Sequence, residues 1–208
     1  MTIPGSLLEL CLGVFGERVE IAETYAEILA CEGIEWGVIG PREKDRIWER
    51  HIVNSLCLLP LIESGQRVTD IGSGAGLPGI PLAIARPDLR IVLVEPMQRR
   101  VDFLSMCLDR LGLADSVEVT RVRAEDYRGS PEVFTCRALT SMTGLVSMMG
   151  ARLGTTPLLA IKGDRASIEI EEARSELKEQ GLTAEILKPE VGGIVLGTVI
   201  RVRKKTLS

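Results

Sequence analysis

The sequence predicts an α/β fold: a mostly parallel sheet of seven strands with helices on both faces, preceded by an N-terminal helical segment. Three observations carry this. From Gln66 onward, short apolar runs alternate with amphipathic stretches, the rhythm of a doubly wound sheet. A glycine-rich turn, "DIGSGAGLPGIPLAI" from Asp70 to Ile84, follows the first of those runs. The last two runs have no helical stretch between them, so they pair antiparallel. With 208 residues, 45% of them hydrophobic, the chain suits one domain with a small extension and a real core.

Residues 1–65 read as a helical extension packed on the core, and 66–208 as the sheet domain. "FGERVEIAETYAEILACEG" sets Val19, Ala22, Ala26 and Leu29 on one helical face, with Gly33 as its stop. "GPREKDRIWERHIVNSLCLLPLI" predicts a second helix, entered at Gly40-Pro41. "RVTDI" is a strand and "LPGIPLAIA" a helix. "RIVLVE" is a strand, and "MQRRVDFLSMCLDRLG" a helix closed by Gly112. "VEVTRV" and "EVFTCRA" are strands, followed by a helix near "SMTGLVSMMGARL". "PLLAIKG" is a strand, and "RASIEIEEARSELKEQG" a charged helix ending on Gly181. "LTAEILKPE" and "GIVLGTVIRVRKK" are the final strands, joined at Gly192-Gly193.

A formal net charge of -4 and a pI of about 5.3 argue against a free-standing nucleic-acid binder but leave room for a local basic face. No stretch approaches the ~20 apolar residues of a membrane helix. The apolar N-terminal patch holds Glu9 and lacks a basic lead-in, so it reads as mature sequence. The five cysteines, Cys11, Cys31, Cys57, Cys107 and Cys136, are odd in number and form no C-x-x-C. They read as buried free thiols of a reducing cytoplasm, and no metal site is expected.

The glycine turn puts backbone N–H groups at the crevice beside the sheet, where open α/β sheets hold ligands. Gly72-x-Gly74-x-Gly76 fits an adenosylmethionine loop; Gly74-x-Gly76-x-x-Gly79 fits a dinucleotide fingerprint. Glu95, ending the next strand, suits ribose hydroxyls in either case. Pro78 and Pro81 separate the two. Each removes an N–H where a pyrophosphate needs donors. Adenosylmethionine brings a sulfonium and an amino acid instead of a phosphate, and Asp70 suits its ammonium end.

The run "DIGSGAGLPGIPLAIARPDL" closely resembles the ribosomal small-subunit methyltransferase G family, also called glucose-inhibited division protein B. "RHIVNSL" at 50–56 is similar to the family's Arg-His-Leu-Leu-Asp-Ser segment. "RRVDFL" at 99–104, "RAED" at 123–126, "CRAL" at 136–139 and "LAIKG" at 159–163 match further blocks in order. The resemblance covers about residues 20–175. It implies a Rossmann-like class I methyltransferase sheet and methylation of a guanine N7 in 16S ribosomal RNA, in the loop near position 527. S-adenosylmethionine is the implied donor, held by Gly72, Leu77, Ala124, Glu125 and Arg137, with Glu95 facing the ribose. Asn54 stands where Asp is frequent, Cys136 where Ser is frequent, and Glu95 where Asp is commoner.

Guanine N7 has a free lone pair and no proton, so its methylation needs orientation and not a general base. Arg137, His51 and Lys162 are the side chains expected to act around the reacting atoms. His51, the single histidine, is either a structural hydrogen bonder or a contact to RNA or cofactor. Arg137 ends a strand at the crevice and is read as a donor, with a buried ion pair as its alternative. Lys162 ends another strand and suits a phosphate. Arg50, Arg123, Arg165, Arg201 and Arg203, with Lys204 and Lys205, complete the RNA candidates. Arg201 and Arg203 share one strand face; protecting a sheet edge is the other reading of that tail. A pyrimidine C5 methyltransferase using Cys136, a small-molecule methyltransferase, an NAD(P) oxidoreductase and a non-catalytic ribosome-assembly factor are the rivals. The expected partner is 16S RNA or the 30S subunit, the expected state a monomer, with no membrane involved.

Overall fold

The computed structural model describes residues 1–205. It opens with three helices: α1 (Leu8–Phe15), α2 (Val19–Ala30) and α3 (Glu32–Glu35). Of the face of α2 expected from the spacing, Ala22, Ala26 and Leu29 are buried and Val19 is half-buried; Tyr25 is buried beside them. Gly33 is not the stop; it lies inside α3, and the chain turns at Gly37, with φ 64°.

The single helix expected over 40–62 is not there. Pro41–Arg46 is a 3-10 turn, Ile47–Val53 a π-helical turn, and Leu56–Leu61 another 3-10 stretch containing Pro60. The wide turn buries Ile47, Trp48, His51, Ile52 and Val53 while Glu49 and Arg50 stay exposed. A regular 3.6-residue period would force part of that apolar set outward.

Among the described residues nine strands follow in chain order: β1 (Arg67–Ile71), β2 (Arg90–Val94), β3 (Val117–Thr120), β4 (Val133–Arg137), β5 (Leu158–Lys162), β6 (Leu182–Leu187), β7 (Glu190–Val191), β8 (Ile194–Val195) and β9 (Thr198–Lys204). Seven form one sheet in the order β3-β2-β1-β4-β5-β9-β6. Strands β1 to β5 run parallel, and β9 is antiparallel to both neighbours. The last two long strands do pair, yet β9 threads between β5 and β6 and is therefore no edge. The glycine pair sits at the tip of a small β7–β8 ribbon rather than between the two long strands.

The connecting helices are α4 (Gly79–Ala85), α5 (Gln98–Leu111), α6 (Met142–Leu153), α7 (Ala166–Glu172) and α8 (Arg174–Glu179), so the charged stretch forms two helices instead of one. One apolar cluster joins the N-terminal residues Tyr25, Trp48 and Ile52 to Val68, Leu93 and Phe103. The other joins Ile71, Phe134 and Cys136 to Met142, Leu145 and Leu177. Tyr25 also donates from its hydroxyl to Ala75 O at 2.8 Å, fastening α2 to the glycine turn. Four cysteines are buried, but Cys31 is exposed, and all five are free. Among the described residues no helix is long and apolar enough to cross a membrane.

Candidate active site

The glycine turn uses its own donors. Gly72 and Ser73 N–H donate to Val94 O at 2.8 and 3.1 Å, and Gly76 and Leu77 N–H to Ser73 O at 2.7 and 3.1 Å. Gly74 N–H donates to Glu95 Oε2 at 3.1 Å and Gly79 N–H to Asp70 Oδ2 at 3.2 Å. A pyrophosphate would find those amides already taken, which agrees with the argument from the prolines. A Cβ at Gly72 would collide with Leu139, at Gly76 with Ile80, and at Gly79 with Leu93. Gly74 differs: at φ 56° its missing Cβ points into space, meeting only Gly72 O at 3.8 Å. That vacancy is the cradle a bound molecule would fill.

The space is a cleft of about 220 Å³, walled by Val38 and Ile39, the turn from Gly72 to Ala75, Leu77, Arg100, His51, Arg137 and Ala138. Asp70 is not in it. Its carboxylate is fully buried beneath the turn, accepting from Gly79 N and from Thr135 Oγ1 at 3.2 Å. Burial pushes that carboxyl up to about 7. The expectation that Asp70 meets an ammonium group gives way to a structural role, because both oxygens face inward.

Glu95 is also buried, taking hydrogen bonds from Gly74 N and Met97 N (3.0 Å), with Arg100 Nη1 at 3.6 Å. A carboxylate has lone pairs to spare after two such bonds, so a ribose hydroxyl at the cleft's edge remains compatible. Ala124 packs with Ile71 and Val94 in a 3-10 turn after β3, and Glu125 beside it is exposed. Gly76, Glu95, Ala124 and Glu125 do not belong to the cleft wall itself.

Arg137 reaches back to the π-helical turn. It donates to Arg50 O at 2.7 Å, His51 O at 3.4 Å and His51 Nδ1 at 3.0 Å. A guanidinium cannot accept, so Nδ1 is the bare nitrogen and the proton sits on Nε2. Nε2 lies 3.2 Å from Glu43 Oε2, close but too poorly aligned to satisfy either atom. Burial, then the Arg137 charge, push His51 down to about 4. The ring is neutral at pH 7 and buried. Ala138, the next residue, adopts φ 49°, the left-handed region that a side chain disfavours.

A second, larger basin of about 720 Å³ opens beyond Arg137 and Ala138, which line both spaces. Arg46, Arg50, Lys162 and Arg165 border it, with Glu49, Glu169 and Glu172. Arg46 was missed in the sequence; its signal was its place one helical turn before Arg50. Arg165 is exposed and pairs loosely with Glu172 at 3.4 Å. Lys162 is different from the free phosphate contact expected. Its side chain is only 8% exposed, and Nζ donates to Glu169 Oε2 and Thr140 O, each at 2.7 Å.

Arg123 is exposed and borders neither space. Arg201 and Arg203 do share a face, both reaching Glu185 at 2.8 and 3.4 Å. Antiparallel β9 sets Thr198 beside Lys162 but Val202 beside Leu158, so these arginines lie toward the opposite end of the sheet. Edge protection also fails for them, since β9 is an inner strand. Among the described residues no Phe, Tyr or Trp lines either space. Cys136 is buried, and burial pushes its thiol up to about 12, which does not suit a nucleophile.

The family model described as rRNA small subunit methyltransferase G matches residues 18–191. A relative from Mycobacterium sp. (strain JLS), "Ribosomal RNA small subunit methyltransferase G", is 53% identical over 174 residues, 81% of this chain and 76% of the relative. The relative of that description from Kineococcus radiotolerans is 49% identical over 187 residues, 88% and 72% of the two chains. Among solved structures, the S-adenosylmethionine-dependent methyltransferase SibL in its apo form has a TM-score of 0.60 at 15% identity, over 78% of this chain and 57% of that one; it shares the fold. The matched segment holds the glycine turn, the π-helical turn and the strand ends that frame both spaces, and so this chain belongs to the rRNA small subunit methyltransferase G family.

Proposed function

We propose that this chain transfers a methyl group from S-adenosylmethionine to N7 of a guanine in 16S ribosomal RNA, in the loop near position 527. One observation carries the reading: a cleft over an open glycine turn and a basic-rimmed basin meet at Arg137 and Ala138. A donor in the first and a nucleobase in the second would face each other there. Gly72, Gly74 and Leu77 would hold the donor, with Ala124, Glu125 and Glu95 toward its nucleoside and Arg137 at the junction. S-adenosylmethionine, when bound, supplies a methyl group on a positively charged sulfur.

The chain's own part is to orient and to exclude water. N7 attacks with its lone pair, so no side chain has to remove a proton. The neutral His51 and the buried thiol of Cys136 agree with that economy. The product purine is cationic, and a cation aimed at N7 would oppose it. Arg137 instead turns its guanidinium toward two carbonyls and a ring nitrogen, which offset its charge. Arg46, Arg50 and Arg165 stand on the rim where RNA phosphates would pass. The working state is a monomer in the cytoplasm, and the substrate is 16S RNA, free or within the 30S subunit.

The test supplies labelled S-adenosylmethionine with free 16S RNA and with 30S subunits lacking the modification, then locates the label by mass spectrometry. One methyl on guanine N7 in that loop is expected, and the better substrate shows which form is used. Label on a pyrimidine carbon, or subunit binding without label, would contradict the proposal.

A further inference from the structure

Resting on that function, we propose that the Lys162–Glu169 pair is a positioning clamp for the loop between β4 and α6, and not an RNA phosphate contact. Lys162 Nζ holds Thr140 O at 2.7 Å, and Glu169 Oε2 accepts both from Lys162 at 2.7 Å and from Met142 N at 3.0 Å. Two charged groups from β5 and α7 therefore fasten the loop at Thr140 and at the first residue of α6. Ser141, between them, caps α6 by accepting from Gly144 N at 3.2 Å.

The fastened loop touches both spaces. Ala138 lines cleft and basin alike in a left-handed conformation, which persists only where the surroundings hold it. Leu139 lies against Gly72 so closely that any Cβ there would strike it. Thr140 and Ser141 line the basin. The loop thus fixes the spacing between the floor of the cleft and the wall of the basin. In-line methyl transfer is sensitive to that spacing, since a shift of about 1 Å can cost about 100-fold in rate. Both members border the basin, but the Lys162 side chain is only 8% exposed and its ammonium is already engaged by Glu169 and Thr140 O, which leaves little of it for a phosphate.

The two roles predict opposite results for Glu169. As a clamp, Glu169→Ala and Lys162→Ala each lower kcat about tenfold or more at nearly constant KM for RNA. The double variant is then no worse than either single one, because both singles break one unit. Glu169→Gln restores part of the rate, its amide oxygen still accepting from Met142 N. Calorimetry with S-adenosylhomocysteine shows severalfold weaker binding in both alanine variants as Leu139 loosens over Gly72. That readout needs no RNA, so it tests the clamp even if the proposed acceptor is wrong, while wild-type transfer to 30S subunits tests the acceptor by itself. As a phosphate contact, Glu169→Ala would tighten RNA binding by freeing the lysine. Lys162→Ala would then reduce the salt slope by about one. Either of those results, or a lowered melting temperature with kcat and S-adenosylhomocysteine affinity unchanged, overturns the clamp.

Discussion

Arg137 joins two parts of the chain that lie 86 residues apart in sequence. Replacing it with alanine strips a donor from Arg50 O, His51 O and His51 Nδ1, while His51 O keeps Ser55 Oγ at 2.6 Å; losing these partly exposed bonds to a charged group costs about 1–3 kcal/mol. A domain of this size then loses a few degrees in melting temperature, about 2–4 °C per kcal/mol. Methyl transfer falls further, by about 100-fold, as the junction loses its geometry; thermal melts beside turnover measure both, and a large melting loss with full specific activity would deny Arg137 its place at the reaction. His51 makes a pH prediction. Its pKa drops from 6.5 unfolded to about 4 folded, so its contribution is present above pH 6.5 and is lost as pH falls through about 4. Urea melts should show the wild type losing ground against His51→Gln over that window. Arg137 was legible as a strand-end residue at the crevice. Its grip on the π-helical turn was not, because pairing over that separation leaves no local pattern. Asp70 and Lys162 were placed correctly at strand ends, but burial and the partners Gly79, Thr135 and Glu169 decide what each can touch.

The glycine turn separates two kinds of glycine. Gly74→Ala keeps an open Cβ direction but adopts a left-handed backbone, at about 1–2 kcal/mol, and it adds a methyl to a residue that lines the cleft. Gly76→Ala drives its methyl into Ile80. The first variant should fold and lose S-adenosylhomocysteine affinity, while the second should lose more stability than the backbone term alone. Calorimetry and melting on the pair check this; equal affinity in Gly74→Ala would take Gly74 out of the binding wall. The turn itself was readable because Gly72, Gly74 and Gly76 take the left-handed backbone and Pro78 and Pro81 lack an N–H, constraints that need no tertiary context; Gly79 is held instead by the closeness of Leu93. The inner parallel strands β1, β2, β4 and β5 were readable as apolar runs buried on both faces, while edge strand β3 exposes Glu118. The 40–62 segment was not, since a wide turn is selected by the core it meets. Nor was the path of β9 between β5 and β6, which depends on non-local pairing.

For the whole molecule, the net charge of -4 conceals a local arrangement: arginines on the basin rim and a second basic group at the far end of β9. Binding of a 16S fragment should weaken with salt. Arg165→Ala should lower the salt slope by about one, while Arg203→Ala, remote from the basin, should leave it unchanged; fluorescence anisotropy over a salt series compares them. The composition could limit the partner class, but only the sheet's topology shows which basic residues face one another across a space. The proposed reaction rests on the meeting of donor and acceptor at Arg137 and Ala138. A crystal structure with S-adenosylhomocysteine tests it most directly. The ligand should lie over Gly74, its sulfur turned toward Ala138 and the basin of about 720 Å³; a ligand seated in the basin itself, or away from the glycine turn, would show that the two do not meet there.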